Sequence, residues 1–510
     1  MAPPRRTEEE QEHNHEAVSL SYVDLEYHEE DAAVGFRLIY PADDESTAAA
    51  TAKPPSSSSL FAPRWSDAHP VYARGYTAVA FFGAAASLKL RALKAAFTAL
   101  VWLVSAASPL PLLRGRPLVA AEDASSSSSS SRRRRLPVVI FSHGASSNRH
   151  TYTYLACEIA RRVPCAVACV EHCDGTAAVA RVPGAGGGEG GGNNSSKDNN
   201  NNNNKWLYYQ GLGKGEALES KCGVRVSEVR LAVRALRALD GRQEGGRLQR
   251  LGGAAGAAGA AAAAANDDPV LASFAGRLDL DARLAVAGHS CGGATAAAAA
   301  AVGPTCPDLG AVSAACAIDP WWALLPSAEP PLAAADEGGG GNGGGNSSSP
   351  PTAPLLVLGS HAWQTPRLPD GGMMCGGERQ RRVFEAWARG EGGGSGGKGP
   401  GAILAVPRGS GHHSFSDVAL LLERSWLLRG LRGLVGASQP ELPSAEAIEM
   451  SGWAVARFLK DRWAAAVEEE GGGGGGGNGA ASRPRPVSAR ELDAYRAYFG
   501  ERAAILEVKV

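Results

Sequence analysis

The sequence predicts an α/β fold in which a mostly parallel eight-stranded sheet is flanked by helices. Short apolar runs alternate with stretches of helical periodicity along most of the 510 residues, which is typical of a sheet covered by helices. Near residue 290 an apolar run, a glycine-rich turn and an alanine-rich stretch follow one another, as in a strand that leads through a tight turn into a helix. Segments of biased composition fill much of the remaining length, so we expect a single medium-sized domain.

Eight apolar runs are predicted to be strands. They are 22–27, 35–40, 137–142, 166–171, 284–287, 312–318, 354–359 and 402–406. Helical periodicity predicts six helices and a seventh near the C-terminal end. They are 152–162, 227–239, 291–302, 380–388, 416–428, 452–465 and 489–498. Between the second and third strands the alternation fails, and residues 60–121 form a long connection.

Low-complexity inserts interrupt the predicted domain, which spans 18–510 and follows a disordered N-terminal tail over 1–17. The inserts lie near 44–60, 122–135, 183–204, 241–268, 335–351, 390–400 and 468–486. Their glycine, serine, asparagine and alanine residues bury too little apolar surface to offset the conformational entropy of the chain. They are therefore predicted to be loops rather than a second domain.

Charge and cysteine content narrow the class of protein. The formal net charge of −1 creates no global field that would favour nucleic acid, so no nucleic-acid partner is expected. The nine cysteines are odd in number and scattered through apolar segments, which does not suit a disulfide framework. The N-terminal residues lack the apolar core of a signal peptide, and Ala2 stands where myristoylation requires glycine. These features predict a cytoplasmic protein.

A group of three cysteines, Cys165, Cys169 and Cys173, could suggest a metal site. In the predicted strand, however, positions four apart stand roughly 13 Å from each other, which is too far to ligate one ion. We interpret these cysteines as structural. No metal and no cofactor is predicted.

The segment 284–295 predicts a nucleophile elbow with Ser290 at its centre. In this turn a serine sits between a strand and a helix in a strained backbone conformation, and Gly288 and Gly292 leave room for the flanking elements. A second Gly-x-Ser-x-Gly match at 393–397 lies in a glycine-rich run without a strand before it or a helix after it. The context therefore selects Ser290, and it indicates an α/β-hydrolase fold.

A serine nucleophile needs a base, and the base needs an acid to orient it. In the α/β-hydrolase order the histidine follows the last strand, where the sequence offers both His412 and His413. Two candidates for the acid are Asp319, directly after the sixth strand, and Asp370, after the seventh. Asp319 is favoured because a strand end holds a carboxylate more rigidly than a loop does.

The reaction also needs donors for the oxyanion of the tetrahedral intermediate. The residue after the nucleophile supplies one backbone N–H group, which is that of Cys291. The loop after the third strand supplies the other, and Ala145 is its natural donor. His143 precedes the elbow, and we expect it to orient this loop.

The most apolar part of the chain, 88–113, has two open interpretations. Its uncharged stretch, 95–107, has thirteen residues, which is too short to span a bilayer. An interfacial helix would place one apolar face against lipid and the preceding basic residues near headgroups. That face would consist of Phe97, Leu100, Val101, Leu103 and Val104. The alternative is a helix that packs against the domain.

Five segments together resemble the platelet-activating-factor acetylhydrolase family, which includes the lipoprotein-associated and intracellular type II phospholipases. They are 137–144 (PVVIFSHG), 170–174 (VEHCD), 288–295 (GHSCGGAT), 318–321 (IDPW) and 408–412 (RGSGH). They occur in the family's order. The motif at 171–174 is the most specific, because general esterases do not share it.

The resemblance implies a triad of Ser290, Asp319 and His412, with Phe415 in the family's position after the base and His413 as a neighbour. It implies calcium-independent hydrolysis of acetyl, short or oxidised acyl chains at the sn-2 position of phospholipids. It also implies that the pair Trp321 and Trp322 contacts substrate and that 88–113 is a lipid-surface helix, which makes peripheral membrane contact an expectation.

Two other functions stay open at this point. A carboxylesterase or polyester hydrolase that acts on soluble esters would share the elbow and the oxyanion loop. A binding protein with an inactive hydrolase fold is the third alternative, although all three triad positions are filled.

Overall fold

The structure is a computed structural model, and it describes fifteen segments of the chain. These are 18–30, 32–42, 63–84, 87–119, 135–182, 206–213, 216–241, 246–251, 268–310, 312–325, 352–364, 377–389, 399–425, 441–471 and 486–509. The predicted N-terminal tail and most of the predicted inserts lie outside these residues, as does Asp370. One insert needs correction, because the segment near 241–268 contains a strand at Arg247–Leu251.

Thirteen strands are present in the described residues. They are β1 (Leu20–Glu29), β2 (Ala32–Pro41), β3 (Leu113–Arg114), β4 (Leu136–Ser142), β5 (Ala166–Glu171), β6 (Val179–Arg181), β7 (Trp206–Tyr208), β8 (Arg247–Leu251), β9 (Leu278–His289), β10 (Ala314–Ile318), β11 (Leu355–Leu358), β12 (Ala402–Pro407) and β13 (Ala503–Lys509). All eight predicted strands are among them.

The central sheet has the strand order of an α/β-hydrolase. Its middle runs β1-β2-β5-β4-β9-β10-β11-β12. Strand β2 is antiparallel to both of its neighbours, and the other pairs from β5 to β12 are parallel. The predicted fold class is therefore confirmed. At the carboxyl ends of the parallel strands, the loops after β4, β9, β10 and β12 meet on one edge of the sheet.

The sheet also has edge strands that the sequence pattern did not predict. Strand β13 pairs antiparallel with β12, while β3 and β8 both pair with β1. Strands β6 and β7 form a separate two-stranded sheet. Edge strands carry a weak local pattern, because pairing with a distant strand stabilises them more than their own residues do.

Helices cover both faces of the sheet. They are α1 (Pro70–Ala80), α2 (Leu88–Ala107), α3 (Thr153–Arg162), α4 (Glu216–Leu239), α5 (Pro269–Ala272), α6 (Cys291–Val302), α7 (His361–Gln364), α8 (Gly377–Arg389), α9 (Asp417–Arg424), α10 (Ser444–Gly471) and α11 (Ala489–Phe499). Successive strand residues alternate between two cores, with Ile140 facing α4, α6 and α8 and Val139 facing α3, α9, α10 and α11.

Within its described residues, the long connection between β2 and β4 contains the α-helices α1 and α2. Helix α2 has twenty residues, so it extends beyond the uncharged stretch of thirteen at its N-terminal end. Ser87 caps its N-terminal end, because the Ser87 hydroxyl accepts a hydrogen bond from the Leu90 N–H group. The helix includes Lys89 and Lys94, and lysine is a good helix former. By length and composition alone, α2 could cross a membrane.

Candidate active site

Ser290 occupies the tight turn between β9 and α6. Its φ of 56° lies in the left-handed region that side chains other than glycine rarely adopt. Two backbone hydrogen bonds hold it there: its N–H group donates to Ile318 O at 2.9 Å, and its carbonyl accepts from the Trp321 N–H group at 2.9 Å. Both partners flank the end of β10, so the turn is fixed by the neighbouring strand.

The two glycines of the elbow are required by backbone crowding. A Cβ atom on Gly288 would overlap the carbonyl oxygen of Gly292. A Cβ atom on Gly292 would overlap the carbonyl oxygen of Ser142, at the end of β4. Because these atoms belong to the backbone, no side-chain movement could make room for a larger residue at either position.

The structure brings Ser290, His412 and Asp319 together across three loops. His412 Nε2 lies 3.0 Å from Ser290 Oγ, and His412 Nδ1 lies 2.6 Å from Asp319 Oδ2. The other Asp319 oxygen accepts a 2.7 Å hydrogen bond from the Ser360 N–H group, and Asp319 is fully buried. Since a carboxylate only accepts, Nδ1 carries the ring proton and Nε2 is left to accept the serine proton.

The neighbours of the predicted base and acid have other roles. His413 lies beside His412, with ring centroids 5.3 Å apart, and burial together with the nearby His412 lowers its pKa to about 4. Asp417 begins α9 and accepts hydrogen bonds from the Tyr154 N–H group, while burial raises its pKa well above the ordinary value. Of these histidines, only His412 is hydrogen-bonded to Ser290 and Asp319 in the described residues.

The two predicted oxyanion donors, the N–H groups of Ala145 and Cys291, both lie close to the Cys291 thiol, on the residue that follows the nucleophile. Burial raises the pKa of Cys291 to about 11, and Arg225 and the backbone N–H groups of Ala145 and Cys291 oppose this rise. The loop that carries Ala145 therefore approaches the residue that follows Ser290. Gly144 allows this approach, since a Cβ there would lie 3.1 Å from Ser290 Cβ. The thiol of Cys291 stays protonated at neutral pH.

A buried ion pair supports the oxyanion loop, which we define as residues 142–147. Arg225 donates through Nε to Asp174 at 2.8 Å and through Nη1 to the carbonyl of His143 at 2.7 Å. The loop also binds the segment after β5, because the Ser146 N–H group donates to Thr176 O at 2.7 Å. The side chains of Arg225 and Asp174 are completely buried. Arg225, which was not predicted to be a site residue, lies on α4 just before the predicted helix 227–239.

The motif at 171–174 lies next to the oxyanion loop and supports it by hydrogen bonds. His172 contacts Ser142 Oγ through Nε2 and Glu228 through Nδ1, each at 2.7 Å. Glu228 also accepts a 2.8 Å hydrogen bond from the Cys173 N–H group. Burial, reinforced by Asp174, raises the pKa of Glu228 to about 8, so this carboxyl group is mostly protonated at neutral pH. It can therefore donate a hydrogen bond to His172 Nδ1.

Tyr152 and His289 connect the oxyanion loop with the base. His289 Nε2 lies 2.9 Å from His412 O, and its Nδ1 lies 2.8 Å from Tyr152 Oη. A carbonyl can only accept, so Nε2 carries the proton and Nδ1 accepts from the tyrosine hydroxyl. Tyr152 Oη in turn accepts from the Gly144 N–H group at 3.3 Å. Neither residue was identified from the sequence, because the pattern shows no sign of such contacts.

An aromatic residue on α7 also contacts the triad. The indole of Trp363 stacks on the His412 ring with centroids 3.8 Å apart and planes 6° apart. The sequence analysis missed this residue too. A tryptophan shortly after the strand beside the acid was the one available signal.

The two tryptophans after Asp319 differ in position. Trp321 is partly buried and its N–H group contacts the elbow, so it lies beside Ser290. Trp322 has no exposed surface and packs inside the core that includes α4 and α6. The expectation that Trp322 contacts substrate therefore needs correction, because its side chain fills the protein interior.

The predicted lipid face of α2 also needs correction. Val104 is buried, Leu100 packs against the core, and Phe97 is half-buried with its ring 5.6 Å from that of Phe81. Of the five predicted residues, only Leu103 is well exposed, at 53%. The exposed face is rotated on the helix, because α2 packs on α1 through the other side. It consists of Leu88, Ala92, Leu93, Ala95, Ala96, Ala99, Trp102 and Leu103.

Two groups of side chains in the described residues have a spacing that could suit a metal ion. The first contains His289, Asp319 and His412, and the triad and Tyr152 hydrogen bonds engage its ring nitrogens. The second contains Asp24, Asp67 and His150. There the Arg37 guanidinium donates to both carboxylates, at 2.9 and 3.0 Å, and offsets part of their charge.

Comparison with known proteins supports the resemblance. Residues 118–328 match the family described as platelet-activating factor acetylhydrolase, isoform II, which confirms the resemblance over this part of the chain. The matched residues include Ser290 and Asp319 and end before His412. None of the curated proteins matches the chain. Among solved structures, the ferulic acid esterase from Streptomyces cinnamoneus is 16% identical, covering 87% of this chain and 89% of that chain with a TM-score of 0.46.

Proposed function

We propose that this chain, a serine hydrolase of carboxylic ester bonds that resembles the platelet-activating factor acetylhydrolases, removes acetyl, short or oxidised acyl groups from the sn-2 position of phospholipids. The observation that carries the hydrolytic part is the continuous hydrogen-bond chain from Ser290 through His412 to Asp319, with two backbone N–H groups beside it. The lipid part rests on the family resemblance and on the exposed apolar face of α2. As in that family, the reaction would need no calcium.

The reaction would proceed through an acyl-enzyme. Ser290 Oγ attacks the ester carbonyl while His412 Nε2 takes the hydroxyl proton, and the Asp319 carboxylate stabilises the resulting imidazolium. The N–H groups of Ala145 and Cys291 stabilise the oxyanion, where one such donor is worth about 10²–10³ in kcat. His412 then protonates the departing lysophospholipid oxygen. A water molecule, activated by His412, releases the acid and restores Ser290.

The exposed face of α2 supports peripheral contact with a lipid surface. Leu88 is 83% exposed, and Leu93 and Leu103 are each 53% exposed. Lys89 and Arg91, both exposed, stand at the beginning of the helix, where they could meet phosphate headgroups. An uncompensated apolar face of this kind would gain roughly 25 cal/mol for each Å² that lipid covers. We propose a cytoplasmic protein that binds membranes at their surface.

Comparing two substrates tests this function. Hydrolysis of 1-alkyl-2-acetylglycerophosphocholine in vesicles and of a soluble p-nitrophenyl ester would be measured for the wild type and for a Leu93→Asp, Leu103→Asp variant. Each lost leucine contact is worth about 1.5–3 kcal/mol, so we expect at least a tenfold loss on vesicles and little change on the soluble ester. Val224→Asp, which alters an exposed valine on α4, is the matched control.

The other outcomes assign the other functions. Fast turnover of soluble esters without phospholipid hydrolysis would support the carboxylesterase or polyester hydrolase alternative. A protein that neither turns over esters nor reacts with a fluorophosphonate would support the inactive binding protein.

A further inference from the structure

The short segment 360–363, which follows β11, contacts the acid of the triad at one end and the base at the other. The Ser360 N–H group donates to Asp319, and the Trp363 indole covers one face of the His412 ring. Among the ring contacts of His412 in the described residues, this one is the closest and the most parallel. The next, with His289, has ring centroids 4.6 Å apart and planes 34° apart. A centroid distance of 3.8 Å is van der Waals contact between the two rings.

This short segment is tied to the loop that carries His412. The His361 N–H group donates to Ser410 Oγ at 3.0 Å, and the Ala362 N–H group donates to Ser410 O at 3.0 Å. In return, the Gly409 N–H group donates to His361 Nδ1 at 3.1 Å. Three hydrogen bonds therefore fix the position of α7 relative to the base, so the ring stack is part of the framework of the site.

We propose that Trp363 is a positioning residue that holds the plane of the His412 ring and stabilises its protonated form through a cation–π interaction. The inference rests on the proposed triad chemistry but not on the lipid substrate. During attack the Ser290 O–H proton moves to His412 Nε2, and the ring becomes a cation at the moment when the Ser290 oxygen bonds to the acyl carbon. The face of an indole carries negative quadrupolar potential, so it favours this cation over the neutral ring.

The surrounding titratable groups allow the effect to be measured. Asp319, His289 and His413 lie around the His412 ring, and His361 lies on the same helix as Trp363. Burial lowers the pKa of His289 well below its ordinary value and that of His413 to about 4. His413 is therefore mostly uncharged from pH 5 upward. A change in the acid limb of the kcat/KM profile in this range would report on His412.

The test uses the full-length protein and a soluble p-nitrophenyl ester, with kcat/KM measured from pH 5 to 9. Trp363→Leu keeps an apolar contact but removes the π face. We expect the acid midpoint to move down by about 0.5–1 pH unit and the plateau to fall about tenfold. Trp363→Phe keeps a weaker π face and should move the midpoint in the same direction by less. A midpoint that stays in place or rises in either variant would overturn the proposal.

Two controls separate this inference from other causes. Trp453, on α10, stacks on Tyr498 at the same centroid distance of 3.8 Å and is not a residue of the triad. Trp453→Leu should therefore leave the pH profile of kcat/KM unchanged. Ser290→Ala must abolish turnover; if it does not, the proposed triad chemistry fails and this inference fails with it, whereas an unmoved midpoint in the Trp363 variants of an enzyme that does depend on Ser290 overturns only this inference. Should the leucine variant not fold, the phenylalanine variant decides. A protonated imidazole quenches a stacked indole, so a fluorescence step at the acid midpoint should be present in the wild type and absent from Trp363→Phe.

Discussion

Tyr152 Oη and His289 Nδ1 are 2.8 Å apart, and this buried hydrogen bond links the two loops that the proposed reaction requires to act together. Through Gly144 the tyrosine contacts the oxyanion loop, and through His412 O the histidine contacts the loop of the base. The donors that would stabilise the oxyanion and the base that would move the proton are therefore held by one chain of hydrogen bonds.

Removing the Tyr152 hydroxyl should damage both catalysis and stability. In Tyr152→Phe, the buried His289 Nδ1 and the Gly144 N–H group lose their partner, which costs about 1–3 kcal/mol for each unsatisfied group. We expect kcat to fall about tenfold and the urea midpoint to decrease. The control is Tyr154→Phe, which removes a hydroxyl that donates to Pro109 O at 2.9 Å. Equal kinetic effects in both variants would contradict a role for the Tyr152–His289 contact.

The two adjacent histidines should respond very differently to substitution. His412→Ala removes the group that contacts both Ser290 and Asp319, and we expect kcat to drop by about 10⁴–10⁶, as for the loss of a triad member. His413→Asn should retain activity within about tenfold, because His413 has a different environment. Steady-state kinetics and fluorophosphonate labelling would measure both. A larger loss in the His413 variant would reverse the assignment of the base.

The buried Arg225–Asp174 pair should matter more than an exposed pair on the same helix. Arg225→Gln leaves an uncompensated buried carboxylate and releases the His143 carbonyl, so we expect a stability loss of about 3–5 kcal/mol and a lower kcat. Arg237→Gln, which removes an ion pair with the 56% exposed Asp281, should cost about 0–1 kcal/mol. Denaturant unfolding of both variants measures the difference. Similar losses would show that burial does not set the strength of the first pair.

The pH dependence of stability should reveal Glu228. The folded pKa is raised to about 8, whereas the unfolded value is about 4.3, so stability is lost as pH rises from the unfolded value through the folded one. Unfolded histidines, with a pKa near 6.5, also titrate in this range, so the loss due to Glu228, about 2 kcal/mol between pH 6.5 and 8, is measured as the difference from a variant that lacks this carboxyl group. Glu228→Gln, which can still donate to His172 and accept from the Cys173 N–H group, should flatten this loss. Urea unfolding at several pH values measures this loss. If the unfolding free energy of Glu228→Gln fell with pH as steeply as that of the wild type, the assignment would be contradicted.

Local patterns in the sequence determined the fold class and most of the candidate triad. Strand and helix periodicity depends on neighbouring residues, so the eight central strands and helix 291–302 were predictable. The elbow at Ser290 needs glycines at fixed distances because backbone atoms would otherwise overlap. The order of the strands along the chain predicted that the acid, Asp319, follows the elbow and that the histidine follows the last strand. It did not decide between His412 and His413.

Only the tertiary structure decided which side chains meet. Trp363 stacks on a ring 49 positions away along the sequence (412 − 363), and Arg225 reaches a carbonyl 82 positions away. Such contacts leave no periodic signal, because their energy depends on distance and burial rather than on neighbouring residues. The same holds for helix α2: its sequence predicted an apolar helix, but packing against the rest of the protein buried Val104 in the core and left Leu93 and Leu103 exposed.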